Sequence, residues 1–138
     1  MYGGSKEYVS KVIAMGRDYF GDRFKPLTEF MPSTAYVELL TSGRVLVLNH
    51  HRQQGLGNAF IMLALKKKIF IRGDVSSFTY FKDLGIKVHD TISLLSGEAS
   101  LFNDDHMVAE KNSEIIFQEA SESNLTELWA NVFNADLH

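Results

Sequence analysis

The chain reads as an α/β protein, a Rossmann-like parallel sheet flanked by helices, and three observations predict it. Val45–Leu48 and Ile69–Ile71 are compact apolar runs of the kind that buried parallel strands show. Each is followed by a segment whose apolar residues recur at helical spacing. The links between them are short and the units few, which favours an open, doubly wound sheet over a closed barrel.

The elements follow in order. Ser5 is placed to cap a helix that carries Tyr8, Val9, Val12, Ile13 and Phe20, with Gly21 as its stop. Phe24–Phe30 reads as a short strand, at an edge or a strand beginning because of Pro26. Ser33 or Thr34 caps a helix through Ala35, Tyr36, Leu39 and Leu40 that Gly43 ends. Val45–Leu48 is the clearest strand. After the loop Asn49–Gln54, a helix is expected from Gly57 to Lys68, apolar over most of its surface and therefore buried, with Lys66–Lys68 at its negative pole. Ile69–Ile71 is the next strand. Ser76 or Ser77 then caps a helix through Phe78, Tyr80, Phe81 and Leu84, with Gly85 just beyond its end. Ile86–Val88 makes a further short strand, and Gly97–Asp105 is the most loop-like interval. Asp104-Asp105-His106 resembles a helix start. Ser121–Phe133 closes the chain as a helix with Leu125, Leu128, Trp129, Val132 and Phe133 on one side.

Composition bounds the functions open to this chain. At 138 residues, with 45% apolar and 22% charged residues, one soluble domain spanning the whole chain is expected. The absence of cysteine excludes disulfides and thiolate metal sites. A net charge of −3 with no basic stripe argues against nucleic acid as a partner. The longest apolar run, Ala59 to Leu65, is about one-third of the roughly 20 residues of a bilayer helix. The start Met1–Lys6 has no signal-peptide core, so the expectation is cytosolic, with membrane contact at the surface only. Tyr2-Gly3-Gly4 looks like the end of a strand and turn, and a first strand is missing from the pattern. A piece of a longer chain is the expectation drawn from this.

The chemistry concentrates in Asn49-His50-His51-Arg52-Gln53-Gln54-Gly55-Leu56-Gly57-Asn58, between the strand and the apolar helix. In open α/β sheets ligands bind beyond the carboxyl ends of the strands. A helix start there offers unpaired N–H groups and about half a positive charge. Glycines admit a phosphate close to the backbone, and Arg52 can grip it through two donors. Such dipole contacts give about 0.3–1 kcal/mol, and about 2 when partly buried. Micromolar binding, about −8 kcal/mol, therefore needs base and sugar contacts as well. The plain alternative is a polar turn with a surface arginine. The pattern is neither the Walker loop nor the dinucleotide fingerprint, because no Lys-Ser or Lys-Thr follows and the third glycine is absent. His50 and His51 point to opposite sides of an extended segment and do not chelate one metal, and His89 and His106 read as scattered polar residues. Ser76, just after the second strand, lies on the same sheet edge as the loop.

Arg52-Gln53-Gln54-Gly55-Leu56-Gly57, between its apolar strand and helix, resembles the Arg-Gln-Gln-Gly-x-Gly motif of the TDP-4-acetamido-4,6-dideoxygalactose transferases. The resemblance extends through Tyr2-Gly3-Gly4 with Glu7-Tyr8-Val9, Phe20-Gly21, Phe24–Leu27, Tyr36 with Leu39-Leu40, Arg72 and the Ser76–Phe81 segment, about two-thirds of the chain. The family adds that sugar to a polyprenyl-linked saccharide during assembly of enterobacterial common antigen. The resemblance implies a GT-B glycosyltransferase, of which this chain is most of the C-terminal, donor-binding domain. A separate N-terminal domain of the same full-length chain would hold the acceptor. It implies Arg52 as the catalytic residue, stabilising the departing diphosphate. Gln53, Gln54, Gly55, Gly57 and Asn58 would contact the donor, with His51, Arg72 and Ser76 counted in the same binding set. No cofactor and no metal are implied, and the location is the cytoplasmic face of the inner membrane, held peripherally. Two departures leave sugar-hydroxyl recognition open. Gln54 and Met62 stand where many GT-B donor domains carry paired glutamates, and Asn58 stands where relatives carry threonine. Two further classes stay open: a non-catalytic nucleotide- or phosphosugar-binding module, and a receiver-like interaction domain. The second is disfavoured by Asn49-His50-His51 at the strand end, where receivers need acids.

Overall fold

A computed structural model describes residues 5–97, 100–102 and 105–135. The chain divides into two compact units, Met1–Tyr36 and Val37–His138.

The first unit is built on helix α1, Lys6–Phe20, whose Ser5 cap accepts from the Tyr8 amide at 3.2 Å. A short 3-10 turn, Gly21–Arg23, follows. The expected strand Phe24–Phe30 does not form. Pro26 lacks the N–H that a ladder needs, and Phe24 is drawn back over α1. A Cβ at Gly16 would stand 2.5 Å from its ring. Helix α2, Ser33–Ser42, begins in this unit and ends in the second.

The second unit is α/β. Strands β1 (Val45–Leu48), β2 (Lys68–Ile71) and β3 (His89–Asp90) pair in parallel in the order β1-β2-β3. Helices α3 (Leu56–Ala64) and α4 (Ser76–Asp83) form the two crossovers and meet through Phe60 and Phe81, ring centroids 5.8 Å apart. The register sets Leu46 beside Ile69 and Leu48 beside Ile71, so these four share a face. That face packs on Ala59, Met62 and Leu63 of α3, Phe81 of α4, and Ile116 of α6 (His106–Glu119). The alternation puts Phe70 on the other face, fully buried and 5.1 Å from the His89 ring. A short helix α5 (Thr91–Leu95) and a final helix α7 (Glu122–Ala135) complete the unit.

Several boundaries differ from the sequence reading, each for a local reason. The helix expected over Gly57–Lys68 starts at Leu56 and stops at Ala64. Lys66 turns left-handed at φ 59°, and the Lys66 and Lys67 amides donate back to Leu63 and Met62 at 2.9 and 2.8 Å. This is the Schellman geometry, with a lysine where glycine is usual. It redirects the chain so that Lys68 is already strand rather than the helix's negative pole. Ser76 and Ser77 do not cap α4. Val75 is the cap residue and no side chain bonds the first turn, while Ser77 is buried inside the helix. Ile86 and Val88 are buried as a strand's would be, yet the ladder forms one step later. Between them the Lys87 N–H and C=O are both taken, at 2.9 Å each, by the Asn112 side chain of α6.

Asp105 caps α6, accepting from the Val108 amide at 3.2 Å, as a helix start there requires. Asp104 and part of the Gly97–Asp105 interval lie outside the described residues, as do the side chains of Val132 and Phe133. The expected apolar side of the last helix is solvent-exposed at Leu125, Leu128 and Trp129. Among the described residues no helix is long and apolar enough to cross a membrane.

Asn112 is 6% exposed and satisfies two backbone groups at once. Asn112→Ala leaves both without partners, and a buried orphan group costs about 1–3 kcal/mol. The expected result is a loss of about 2 kcal/mol or more in urea denaturation. A variant as stable as the native chain would show that water replaces the amide.

Candidate functional site

The carboxyl ends of the three strands bring three loops to one edge of the sheet: Asn49–Gly55, Arg72–Val75 and the Asp90–Thr91 junction. A network of side chains ties them together. Thr91 donates its hydroxyl to the Asn49 Oδ1 at 2.8 Å. Asp90 Oδ1 accepts from the Gly73 amide at 2.8 Å and from the Ile92 amide at 2.9 Å, joining the loop after β2 to the start of α5. A Cβ at Gly73 would collide with that carboxylate. Only glycine lets the loop approach.

The predicted motif begins on this platform. Gly55 caps α3 in the left-handed region at φ 74°, and a Cβ there would sit 3.2 Å from Leu48 Cδ2. Its role is thus conformational and steric. Gly57 differs: it has ordinary helical backbone, and nothing lies within 4 Å of where its Cβ would be. Glycine inside a helix costs about 1 kcal/mol relative to alanine. The fold gives no reason for it, whereas a ligand approaching the first turn would. No side chain caps that turn, so its leading N–H groups and the positive end of the helix dipole are open to an anion. Arg52, Gln53 and Gln54 are exposed and make no side-chain hydrogen bond or ion pair among the described residues. Asn58 is half-buried in the same turn, with its Nδ2 4.0 Å from the position a Gly55 Cβ would take.

The other predicted residues are arranged differently. Arg72 is clamped by Asp74, through Nε at 2.8 Å and a terminal nitrogen at 2.6 Å. That hydrogen-bonded contact raises the guanidinium above its ordinary range and holds the Asp74 carboxyl below its own. His51, in the loop after β1, acts on Asp74 in the same direction as the smallest of the causes. Arg72 thus gives two of its nitrogens to Asp74, and Ser76 is exposed on the first turn of α4. Sequence reasoning included Asn49 in the loop without seeing its bond to Thr91, and it passed over Asp74, Asp90 and Thr91. The legible signal was a short acceptor side chain at or soon after each strand end, Asn49, Asp74 and Asp90, where loops need acceptors for their amides. Among the described residues no group of three or more His, Asp or Glu side chains is arranged to hold a metal.

The edge is open. A concave cavity of about 310 Å³ lies at the opposite, amino ends of the strands, lined by Arg44, Lys67, Lys68, Lys87, His89 and Asn112 among others. His89 lies below its ordinary pKa there, through burial first and then the charges of Lys68 and Lys87.

Comparison of the chain with protein-family models, with curated proteins and with solved structures gives no match.

Two outcomes follow. Gly55→Ala should lower stability by about 1–2 kcal/mol for the left-handed backbone alone, whereas Gly57→Ala should raise it by up to about 1 kcal/mol. Thermal denaturation of both variants tests the division of roles, and equal losses would remove it. For His89, the unfolded chain takes up its proton first as pH falls, because the folded pKa is the lower of the two. Stability should therefore decline as pH drops below the ordinary value of 6.5. His89→Gln should remove that component from the urea-denaturation profile, and an unchanged profile would assign the decline to other groups.

Proposed function

We propose that this chain is the donor-binding half of a glycosyltransferase that moves a deoxyamino sugar from a TDP-sugar to a polyprenyl-diphosphate-linked glycan. The single observation that carries the reading is the start of α3. There an otherwise unfavourable Gly57, an uncapped first turn and the unpaired Arg52-Gln53-Gln54 lie together beyond the end of β1. This combination suits a diphosphate. The amides and dipole would take one phosphate, Arg52 would bridge oxygens of the other, and the two glutamines have both donors and acceptors for sugar hydroxyls. The resemblance of Arg52–Gly57 to the Arg-Gln-Gln-Gly-x-Gly motif supplies the substrate class.

The chemistry asked of the protein is electrostatic. As the glycosidic bond to the nucleotide breaks, the anomeric carbon becomes oxocarbenium-like, and negative charge grows on the leaving diphosphate. Arg52 and the leading amides of α3 would oppose that charge without reorganising, which is the form of stabilisation that contributes most in such sites. The Arg72–Asp74 clamp would act as a wall and positioning pair. An open edge fits a site whose second wall, with the acceptor and its base, is supplied by an N-terminal domain of the same enzyme. The place of work would be the cytoplasmic face of the inner membrane, where the lipid-linked acceptor is presented.

NMR titration with TDP should shift resonances centred on Arg52–Asn58, weakly, since only half of the site is present. Arg52→Ala should abolish the response, and Gly57→Ala should weaken it while leaving the fold intact. In an enzyme carrying both halves, Arg52→Ala should lower kcat about 10²–10³-fold. Silence of Arg52–Asn58 at millimolar TDP would overturn the reading.

A further inference from the structure

The amino ends of the strands hold an arrangement that the donor reading does not use. Five of the fourteen Lys and Arg residues, namely Arg44, Lys66, Lys67, Lys68 and Lys87, line the 310 Å³ cavity in a chain whose net charge is −3. The fold makes this happen with different devices. Arg44 directly precedes β1, Lys68 opens β2, and Lys87 leads into β3, so parallel pairing stacks three cations along one edge. The left-handed turn at Lys66 brings the end of α3 to the same place. The start of α6 supplies Asp105, His106 and Val108 on the far side, with the positive end of its dipole.

Part of this charge is already balanced. Lys66 pairs with Glu110 at 2.7 Å, Lys68 donates to the Ser100 carbonyl at 2.6 Å, and Asp105 is occupied in capping α6. Arg44 lies over the Phe102 ring at 5.4 Å. Lys67 and Lys87 make no ion pair among the described residues. Asn112 fixes the backbone of Lys87, and the Schellman turn fixes that of Lys67, so both ammonium groups extend from rigid positions. His89, half-buried between Lys68 and Lys87, can supply a donor from a neutral ring. Leu65, Ile69 and Ala109 give the cavity apolar walls.

We infer that this cavity is a second anion site, distinct from the Arg52 loop, that takes a small phosphorylated ligand, a diphosphate or phosphomonoester, on Lys67, Lys87 and His89. Its volume is at the lower end of ligand pockets, which suits a phosphate group with a small substituent. Like charges gathered around one concave volume repel each other, and a multiply charged anion relieves that repulsion where a monovalent one does so less. The same phosphate chemistry is presented by free metabolites and by anionic lipid headgroups.

The test uses inorganic pyrophosphate with the intact chain, followed by NMR at low ionic strength. Resonances of Lys66–Ile69, Lys87–His89 and His106–Ala109 should shift in the native protein and equally in Arg52→Ala. In Lys67→Gln/Lys87→Gln the affinity should fall at least tenfold, with the native spectral dispersion retained. The His89 pKa, read from its ring protons, should rise when pyrophosphate is bound, which a purely structural lysine cluster would not produce. Should the double variant lose its fold, Lys87→Gln with the same His89 titration serves in its place. Sedimentation with phosphatidylglycerol-containing vesicles, lost in the double variant, would identify a headgroup as the source. Pyrophosphate binding without sedimentation would identify a soluble phosphate. Unchanged affinity in the lysine variant, a response confined to His50–Asn58, or no response to either probe would overturn the site.

Discussion

A parallel strand has no hairpin to hold it beside its neighbour, so β2 must be kept in place by what covers it. It is four residues long, and Ile69, Phe70 and Ile71 are each at most 2% exposed. Burial on both faces is what parallel sheets require, and here it decides the rest. One face takes α3, α4 and α6 through a continuous apolar cluster, and the other takes Phe70 beside the His89 ring. Burying side chains of this size contributes about 1.5–3 kcal/mol each, more than the few ladder bonds of strands this short. The loops at either end of the sheet owe their positions to this one strand.

The two ends carry different electrostatics. At the carboxyl end Arg72 is matched to Asp74, Asp90 Oδ1 accepts from two amides, and Arg52 is an exposed cation. At the amino end the cations are packed around a concave volume and only partly matched. A charge on a convex, wet surface is screened within about 8–10 Å at physiological salt. The same charge in a concavity with low-dielectric walls acts further, because the field is focused there. The two regions therefore differ in how far their charge acts.

Much of the second unit was legible from sequence because its signals are local. Val45–Leu48 and Ile69–Ile71 are apolar runs that have no alternative use, and Gly85, Asp105 and Ser5 mark helix ends by their own backbone or side-chain chemistry. The failures have separate causes. Phe24–Phe30 carries strand-like residues, but Pro26 and the pull of Phe24 onto Gly16 decide otherwise. The Lys66–Lys68 run was assigned to a helix because charge pattern does not reveal a left-handed turn. For the candidate site, the glycines and Arg52 were visible as a motif, while the Asp90–Gly73 and Thr91–Asn49 bonds join residues 17 and 42 positions apart. No spacing rule reaches that far. The amino-end cavity was invisible for the same reason: parallel pairing assembles it from the residues that precede three separate strands.

Asn112 gives the sheet a boundary. Its side-chain amide offers Lys87 one acceptor and one donor, the pair that a neighbouring strand's peptide would offer. Unprotected strand edges recruit other chains, and proteins ordinarily blunt them with charge, proline or bulges. Here a helix does so by imitation, lending one peptide-like group to the stretch that leads into the outermost strand. The backbone at Lys87 therefore has nothing left to offer an incoming strand.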